Sequence, residues 1–321
     1  MSVAVRSTRF AAILALFAIL SLAPSAHASK VVASINVGGD SSIMALNPNT
    51  HLLYAGNLNG YVSVIDTQTS TVVATVPTGS VFGVAVNTET NTIYANTGGD
   101  GVYVIDGATN TVTDVITSGE GEAGIAVDEN LNQIYAANKN DSTLSVIDGS
   151  TDQVVATVPI GGVLARVAVD SRIQRVFVTV ELPGTVVAVD TVSHTVAGSL
   201  VLSGALLNGM VVDEGLQRVY VTDNYGFVVD VIDPAQLSLT DTVPGFQYPY
   251  NLALDRRTHT FYVVGANTFV QGQVTAVSAR TLELGGHANF RMGLPTSAAV
   301  DVSTGYLYVT HGDRIEVLRT R

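Results

Sequence analysis

Residues 133–158 read Q-I-Y-A-A-N-K-N-D-S-T-L-S-V-I-D-G-S-T-D-Q-V-V-A-T-V and contain three short runs rich in β-branched and aromatic residues. Versions of this stretch recur along the chain, and the clearest mark of each copy is the pattern V-x-V-I-D. Its last position recurs at intervals of 40, 42, 42, 43, 45 and 40 residues: Asp66, Asp106, Asp148, Asp190, Asp233, Ser278 and Leu318. A period of this size is typical of solenoids, propellers and repeat arrays. The sequence therefore predicts seven structural repeats.

Each repeat divides into four predicted strands. The first ends in Asp or Asn, the second has an aromatic residue near its start, the third is V-x-V-I-D, and the fourth is V-V-A-T-V-P in its best copies. We expect the first strands at Ile43–Asn47, Val84–Asn87, Gly124–Asp128, Val167–Asp170, Met210–Asp213, Leu252–Asp255 and Ala298–Asp301. Apolar residues occupy both alternating positions in these runs, so each sheet should be buried on both faces, as propeller blades are. The predicted fold is an all-β, seven-bladed β-propeller with four-stranded blades.

The two ends of the repeated region complement each other. Lys30–Val37 reads as a fourth strand that no first three strands precede, and the last repeat ends at Arg321 after its third strand. Pairing the N-terminal strand with the last three strands completes the seventh blade. We therefore predict that this strand closes the ring.

The second strands carry a short signature. Tyr220–Asp223 reads Y-V-T-D, Tyr308–His311 reads Y-V-T-H, and Tyr54–Asn57 and Tyr135–Asn138 are shorter matches. Together with V-I-D and V-V-A-T-V-P, they resemble the YVTN family of β-propeller repeat proteins over roughly residues 30–321. The resemblance implies the propeller fold and a secreted, periplasmic or cell-surface protein. It implies no particular activity, because such repeats occur in proteins of many roles.

The N-terminus has the pattern of a secretory signal peptide. Arg6 and Arg9 precede an apolar run from Phe10 to Leu22, which is too short to span a membrane, and an A-x-A site ends at Ala28. We expect a signal peptide at residues 1–28, a single propeller domain at 29–321 and no transmembrane span in the mature chain. The mature protein is expected to be a periplasmic, secreted or cell-surface monomer.

Charge and cysteine content narrow the classes of partner. Removing the signal peptide takes two arginines from a chain of formal net charge −12 and leaves −14, which disfavours nucleic acids and anionic lipids as partners. The chain has no cysteine, so disulfides, thiolate metal sites and covalent haem attachment are excluded. Stability is expected to come from the large apolar core and from closure of the ring.

The repeated aspartates are predicted to be structural. Asp66, Asp106 and Asp148 each precede a short polar segment, where a carboxylate can cap the turn between strands three and four. The connections from strand one to two and from three to four share one side of the disc and are nearly uniform. Those from strand two to three and between blades share the other side and vary. Because binding residues gather on variable loops over a rigid scaffold, we expect the site on the variable side.

Two groups of residues on that side are candidates for ligand binding. At the rim of the central channel, before or within the first strands, we expect Glu122, Arg166, Asn208, Tyr250 and Asn251. The second group lies beside blades five to seven, with an expected long loop at 287–295, and has the aromatic and basic residues that hot spots use: Tyr225, Phe246, Tyr248, Tyr250, His287, Phe290 and Arg291, with His311 on the same side. The alternative is that Tyr248, Tyr250 and Phe290 only plug the channel or pack under the loop.

Three functions compete. The first is a non-enzymatic scaffold that binds a protein, peptide or glycan on the variable face. The second is a propeller hydrolase, lactonase-like, with its site at the channel mouth. Calcium is a conceivable cofactor for it, held by oxygens of Glu122, Asn208 and Asn251 with Asp223 or Glu181. Arg166 in the same ring disfavours such a site. The third is a structural cell-surface component. No catalytic residues are assigned, and no other cofactor is expected.

Overall fold

The computed structural model describes residues 30–99, 101–121, 123–202, 206–268, 271–291 and 294–320. Within them the chain forms 28 strands in seven four-stranded antiparallel sheets. These residues contain no helix, and hence none long and apolar enough to cross a membrane. The expected signal peptide, residues 1–28, lies outside the described residues.

The first six blades follow chain order, with four consecutive strands in each. The strands of blades one to three are β2 (Ser41–Asn47), β3 (Leu52–Asn57), β4 (Tyr61–Asp66), β5 (Thr71–Pro77), β6 (Val81–Asn87), β7 (Thr92–Thr97), β8 (Gly101–Asp106), β9 (Thr111–Ile116), β10 (Ile125–Asp128), β11 (Gln133–Asn138), β12 (Thr143–Asp148) and β13 (Gln153–Pro159). The strands of blades four to six are β14 (Leu164–Asp170), β15 (Arg175–Val180), β16 (Thr185–Asp190), β17 (Thr195–Val201), β18 (Leu207–Asp213), β19 (Arg218–Asp223), β20 (Val228–Asp233), β21 (Ser238–Pro244), β22 (Tyr248–Asp255), β23 (Thr260–Thr268), β24 (Gln271–Ser278) and β25 (Leu284–Arg291).

Blade seven joins the two ends of the described chain. It contains β26 (Ala298–Asp301), β27 (Tyr306–His311), β28 (Arg314–Arg319) and β1 (Val31–Asn36), with β1 paired antiparallel to β28. Ile35 lies opposite Ile315, and the Ser34 hydroxyl donates to Glu316 Oε1 at 3.0 Å. The side chain of Ile35 is 4% exposed. The predicted propeller and its closure by the N-terminal strand are both confirmed.

Most first strands begin earlier than predicted, because they contain β-bulges. The fourth blade's first strand starts at Leu164 instead of Val167, and its register with β15 shifts between those two residues. The fifth blade's first strand starts at Leu207 instead of Met210, with the same kind of shift. A bulge adds one residue and breaks the alternation from which strand limits are deduced.

The core lies between the blades. Each of the seven interfaces holds one cluster of buried apolar side chains, drawn from both neighbouring blades. The aromatic residues of the second strands are at most 2% exposed: Tyr54, Tyr94, Tyr135, Phe177, Tyr220, Tyr262 and Tyr308. Burial raises the pKa of Tyr220 and of Tyr308 to about 12, so both phenols stay neutral at physiological pH. Their hydroxyls donate to the carbonyls of Ala279 and Thr67 in the next blade, each at 3.2 Å.

We call the side formed by the connections from strand one to two and from three to four the turn face. These connections have four residues each, except residues 279–283, which number five. The fourth residue of every one has positive φ, a conformation that costs free energy for a side chain other than glycine: His51, Ser70, Asn91, Asn110, Asn132, Asp152, Gln174, His194, Gln217, Leu237, His259, Leu282 and Gly305.

The repeated aspartates cap these turns, as predicted. Asp66 Oδ1 accepts the main-chain N–H groups of Gln68 at 2.7 Å and Thr69 at 3.0 Å. Asp148 Oδ1 accepts the N–H of Ser150 at 2.8 Å. Hydrogen bonds from the Ser150 side chain and main chain hold the pKa of Asp148 below its usual range, so this cap is a carboxylate at neutral pH.

Side chains also join the turns of neighbouring blades. The last residue of a first strand bonds the fourth turn residue of the next blade, and we call this set the inter-blade belt. Its contacts are Asn47 with Asn91 at 2.8 Å, Asn87 with Asn132 at 2.8 Å, Asp170 with Gln217 at 3.2 Å and Asp213 with His259 at 2.7 Å. Because these bonds need a polar side chain at the strained position, they account for Asn91, Asn132, Gln217 and His259 there.

Candidate ligand-binding site

The first strands of neighbouring blades contact one another around the axis, so they line the central channel. The channel contains a cavity of about 120 Å³, lined by apolar residues such as Met44, Phe82 and Met210 and by the polar residues Arg166, Asn251 and Ser297. The channel opens on each side into a larger pocket. We call the side opposite the turn face the loop face, since its connections run from strand two to three and between blades.

The loop-face mouth is a pocket of about 450 Å³, and we call it the mouth pocket. Three of the predicted site residues line it: Arg166, Asn208 and Tyr250. They come from blades four, five and six, and the bulged starts of the first strands place them there. Ser42 and Phe82 contribute from blades one and two. The pocket is thus built from residues far apart in sequence, and ligand binding by it stays a prediction.

Arg166 is the central cation of the mouth pocket. Its main-chain N–H donates to Thr179 Oγ1 at 2.9 Å, which fixes the strand at this point. Its guanidinium makes one long hydrogen bond, from Nη1 to the carbonyl of Ala165 at 3.4 Å, and its Nε is buried without a partner. Burial lowers the pKa of Arg166, while the nearby Tyr250 and Glu181 act in the opposite direction. An arginine keeps its charge in such surroundings, and most of its donors face no acceptor among the described residues.

The carboxylate nearest to this charge is already paired. Glu181, in the loop after β15, accepts a salt bridge from Lys139 Nζ at 3.4 Å. Lys139 lies in the corresponding loop of blade three, so the pair joins two blades across the rim. Among the described residues no carboxylate lies within 4.0 Å of the Arg166 guanidinium. A ligand with a negative group therefore meets little competition for it.

One wall of the mouth pocket is shared with a second, mostly apolar depression of about 430 Å³, which we call the side groove. The shared residues are Tyr250, Leu294 and Thr296. Tyr248 also lines the groove, and its ring packs edge-to-face on Phe227 at a centroid distance of 5.6 Å. Tyr248, Tyr250 and Leu294 are 37%, 36% and 50% exposed, so an exposed apolar surface adjoins the partly buried Arg166.

The prediction of a long loop at 287–295 is wrong for residues 287–291. Residues up to Arg291 belong to β25, the outer strand of blade six, where His287 lies opposite Thr275 and is exposed. Phe290 is 4% exposed and packs in the core between blades six and seven. The extension of the hairpin β23–β24 provides the pairing partners for these residues. Outer strands of propellers need few apolar residues, so this strand can have the glycines and polar residues that are typical of a loop.

The other predicted residues lie around the pocket without entering it. Tyr225 is 63% exposed on the loop after β19, one residue from the groove residue Asn224. Asn251 faces the channel, and its amide donates to the carbonyl of Thr296 at 3.1 Å. His311 is partly buried, with its ring 5.8 Å from that of Phe290.

The structure does not describe the side chains of two further candidates. Glu122 lies outside the described residues. Arg291 belongs to β25, but its side chain is among those that the structure does not describe.

The oxygens considered for calcium are largely engaged in local bonds. Asp223 Oδ1 accepts N–H groups from Leu206, Tyr225 and Gly226 at 3.2, 3.0 and 2.9 Å. Glu181 is paired with Lys139. Within the described part of the chain, no three acidic or histidine side chains form a group suited to a metal ion.

The turn-face mouth is a larger pocket, of about 530 Å³. Several of its polar side chains serve the neighbouring turns. Glu129 Oε1 accepts the N–H of Thr88 at 2.7 Å, and the Ser171 hydroxyl donates to Asp128 Oδ1 at 2.9 Å. Arg256 also lines this pocket, but it is exposed to solvent. Size therefore favours the turn-face pocket, whereas a partly buried guanidinium with few partners favours the mouth pocket.

Sequence reasoning missed Leu58, Leu294, Thr296 and Asp40 as lining residues. Leu294 and Thr296 lie four and two residues before the first strand of blade seven, much as the predicted Arg166 and Tyr250 lie near the start of theirs. Leu58 directly follows the second strand of blade one. Position relative to the strands could have identified them, whereas residue type could not.

Neither a family model nor a curated protein matches the chain. Among solved structures it is similar to the hydrazine synthase of Kuenenia stuttgartiensis, with a TM-score of 0.77 and 16% identical residues over 88% of this chain and 96% of that chain. At this identity the likeness supports the propeller fold alone. Membership of the YVTN family stays a prediction.

Proposed function

We propose that this protein is an exported binding scaffold that holds a protein, peptide or glycan ligand at the loop-face mouth of the propeller. The observation that carries the proposal is Arg166, a largely unpaired cation in a pocket of about 450 Å³, beside exposed aromatic rings. Buried arginines and partly exposed tyrosines are the residue types that dominate binding hot spots. A pocket of this size accommodates a small ligand or the end of a larger one.

The hydroxyl groups of the pocket support binding over hydrolysis. Ser42 Oγ donates to the carbonyl of Val81 at 2.6 Å, and Thr296 Oγ1 donates to that of Ser41 at 3.1 Å. A nucleophilic hydroxyl needs a general base as its partner, but these two hold neighbouring blades together. The hydrolase alternative is tested by a thermal-shift titration with calcium and EDTA. A calcium-dependent rise in Tm would favour it.

Export follows from the N-terminal pattern and is part of the proposal. N-terminal sequencing of the protein recovered from its producing cells should begin at Ser29. An intact N-terminus on the bulk of the protein would contradict export with cleavage.

The binding function is tested by recovering partners from an extract of the producing cells. Wild-type protein, Arg166→Gln and Tyr250→Ala are compared with the turn-face variant Asp148→Ala, all at matched folding. We expect a ligand that wild type and Asp148→Ala retain and that both loop-face variants lose. If every variant retained the same partners, the site would lie elsewhere. If wild type retained none, the scaffold function would be wrong.

A further inference from the structure

We propose that the mouth pocket binds the carboxyl-terminal residue of a peptide, with its carboxylate on Arg166 and its apolar side chain in the side groove. This inference rests on the proposed binding function and narrows its ligand to one chemical class.

The carboxylate is assigned to Arg166 by the donors that this side chain leaves unused. Nε is buried without a partner, and Nη1 makes only the 3.4 Å bond to the Ala165 carbonyl. A planar guanidinium offers its N–H groups in a fork that fits the two oxygens of a carboxylate. Arg166 is partly exposed and lines the pocket, so a carboxylate there can bind its terminal N–H groups, which make only that one long bond.

A single negative charge fits the pocket better than several. Of its two described cations, Lys139 is paired with Glu181, which leaves Arg166 for one carboxylate, and Asp40 also lines the pocket. A second anionic group on the ligand would meet these carboxylates and a strongly acidic protein. Phosphorylated and polyacidic ligands are therefore disfavoured, whereas one terminal carboxylate is matched.

The side groove defines what is attached to the carboxylate. It shares the wall of Tyr250, Leu294 and Thr296 with the mouth pocket, and its other residues include Tyr248 and Ala266. A group next to the carboxylate can pass over Tyr250 into this groove and bury apolar surface there. An aromatic or branched aliphatic side chain fills such a space.

The polar groups around Arg166 distinguish a peptide from a simple fatty acid. Asn208 is 9% exposed and lines the mouth pocket, and the acceptors of Glu181 and Asp40 face the same space. The last peptide group can donate its N–H and accept through its carbonyl at these positions. An unbranched acid would desolvate them without replacing the lost bonds, which reduces affinity.

The test uses short N-acetylated peptides with a fluorescent label, ending in Phe, Leu, Ala or Asp, each as the free acid and as the amide. Fluorescence polarisation gives Kd for the full-length mature protein. We expect the Phe and Leu acids to bind about tenfold or more tightly than their amides and than the Asp acid. Arg166→Gln should remove the preference for the acid, and Leu294→Ser should weaken the preference for Phe and Leu. Asp148→Ala is the matched control and should bind as wild type.

Equal affinity for acids and amides, or an acid preference that survives Arg166→Gln, would overturn the inference. So would a decanoate probe that competes as well as the Phe acid, since a lipid would then be the source of the carboxylate. Failure of this inference can be distinguished from failure of the proposed scaffold function. If a recovered partner depends on Tyr250 but binds equally after its last residue is removed, the scaffold stands and the inference falls.

Discussion

The turn face and the loop face arise from the same seven repeats, yet only the turn face repeats. Its connections have four residues with one exception, a residue of positive φ at the fourth position, and side chains that bond across blades. On the loop face, connections between the described strands range from two to eight residues. The turn face is constrained because each turn must serve its own hairpin and its neighbour. Loop-face connections are not held to this pattern, so their length and sequence can vary and they can form a binding site.

The largest effect should come from opening the ring while leaving both faces unchanged. Deleting residues 30–37 removes β1 and its buried side chains Ile35 and Val37, and exposes the edge of β28. Burial of two such side chains is worth roughly 3–6 kcal/mol, so the free energy of unfolding should fall by about that much. Urea unfolding measures it. Val32→Lys, at a position 51% exposed on the same strand, is the matched control. Equal stability of the truncated and full-length proteins would show that the ring does not need its closing strand.

The second test removes one buried carboxylate from the turn face. Asp301 is fully buried, and its Oδ1 accepts from Ser303 and Thr304 while Oδ2 accepts from Thr67 of blade one at 3.3 Å. Asp301→Ala should lower the free energy of unfolding by about 2–3 kcal/mol, because it leaves buried donors without acceptors. Asp301→Asn keeps an acceptor and should lose less. If Asp301→Ala were neutral in urea unfolding, the turn face would not be the stabilising side.

A smaller effect on the free energy of unfolding is expected at two positions near the loop face, the last residue of a second strand and the third residue of the following strand. In blades one and three an asparagine amide donates to a serine hydroxyl, in Asn57–Ser63 at 3.1 Å and Asn138–Ser145 at 2.9 Å. Blade five has Asp223 and Asp230 at these positions. Burial, together with the charge of Asp223, raises the pKa of Asp230 to about 6, despite an opposing hydrogen bond from Thr242.

Because folding raises the pKa of this carboxyl, its stabilising contribution is present below about pH 4 and is lost as the pH rises through about 6. Asp230→Ser should therefore stabilise the protein at pH 7 by roughly 1–2 kcal/mol, and by much less at pH 4. The measurement is the change in the free energy of unfolding that Asp230→Ser causes, compared between pH 7 and pH 4. A gain of the same size at both would mean that charge is not its cause.

The smallest effect is expected at an exposed aromatic residue of the loop face. Tyr225 is 63% exposed, so Tyr225→Ser should change the free energy of unfolding by less than about 0.5 kcal/mol. The midpoint of urea unfolding is the measurement. A loss above 1 kcal/mol would assign the loop face a structural role and weaken the contrast between the faces.

The fold was predictable because its signal repeats. Five copies of the V-x-V-I-D pattern that end in Asp, with degenerate copies ending at Ser278 and Leu318, predict seven blades, and the unmatched strand at Lys30–Val37 predicts the closure. Arg166, Asn208 and Tyr250 could be placed at the channel mouth because each lies near the start of a first strand. Their position follows from the topology, whatever their chemistry.

The errors arose where the repeat degenerates. In blade six, β23 and β25 are longer than their counterparts, and the glycines and polar residues of β25 resemble those of a loop. Strand pairing overrides local composition there, so His287 and Phe290 moved from the expected loop to the outer strand. The sequence predicted exposed aromatic residues beside blades five to seven, and Tyr248 and Tyr250 line the side groove there. The part of its wall that Ala266, Leu294 and Pro295 provide was not predictable, since it depends on side chains meeting after folding.

The shared seventh blade also sets the timing of folding. The Ser34 hydroxyl bonds Glu316, a residue 282 positions later, so synthesis must pass through six complete blades before this contact can form. At typical rates of synthesis that interval is roughly 15–60 s. During it, the first strand is an unpaired β segment with an apolar side, and neighbouring unfinished chains offer it equivalent edges. Until β28 is available, the unpaired first strand is therefore an open edge at which chains can associate.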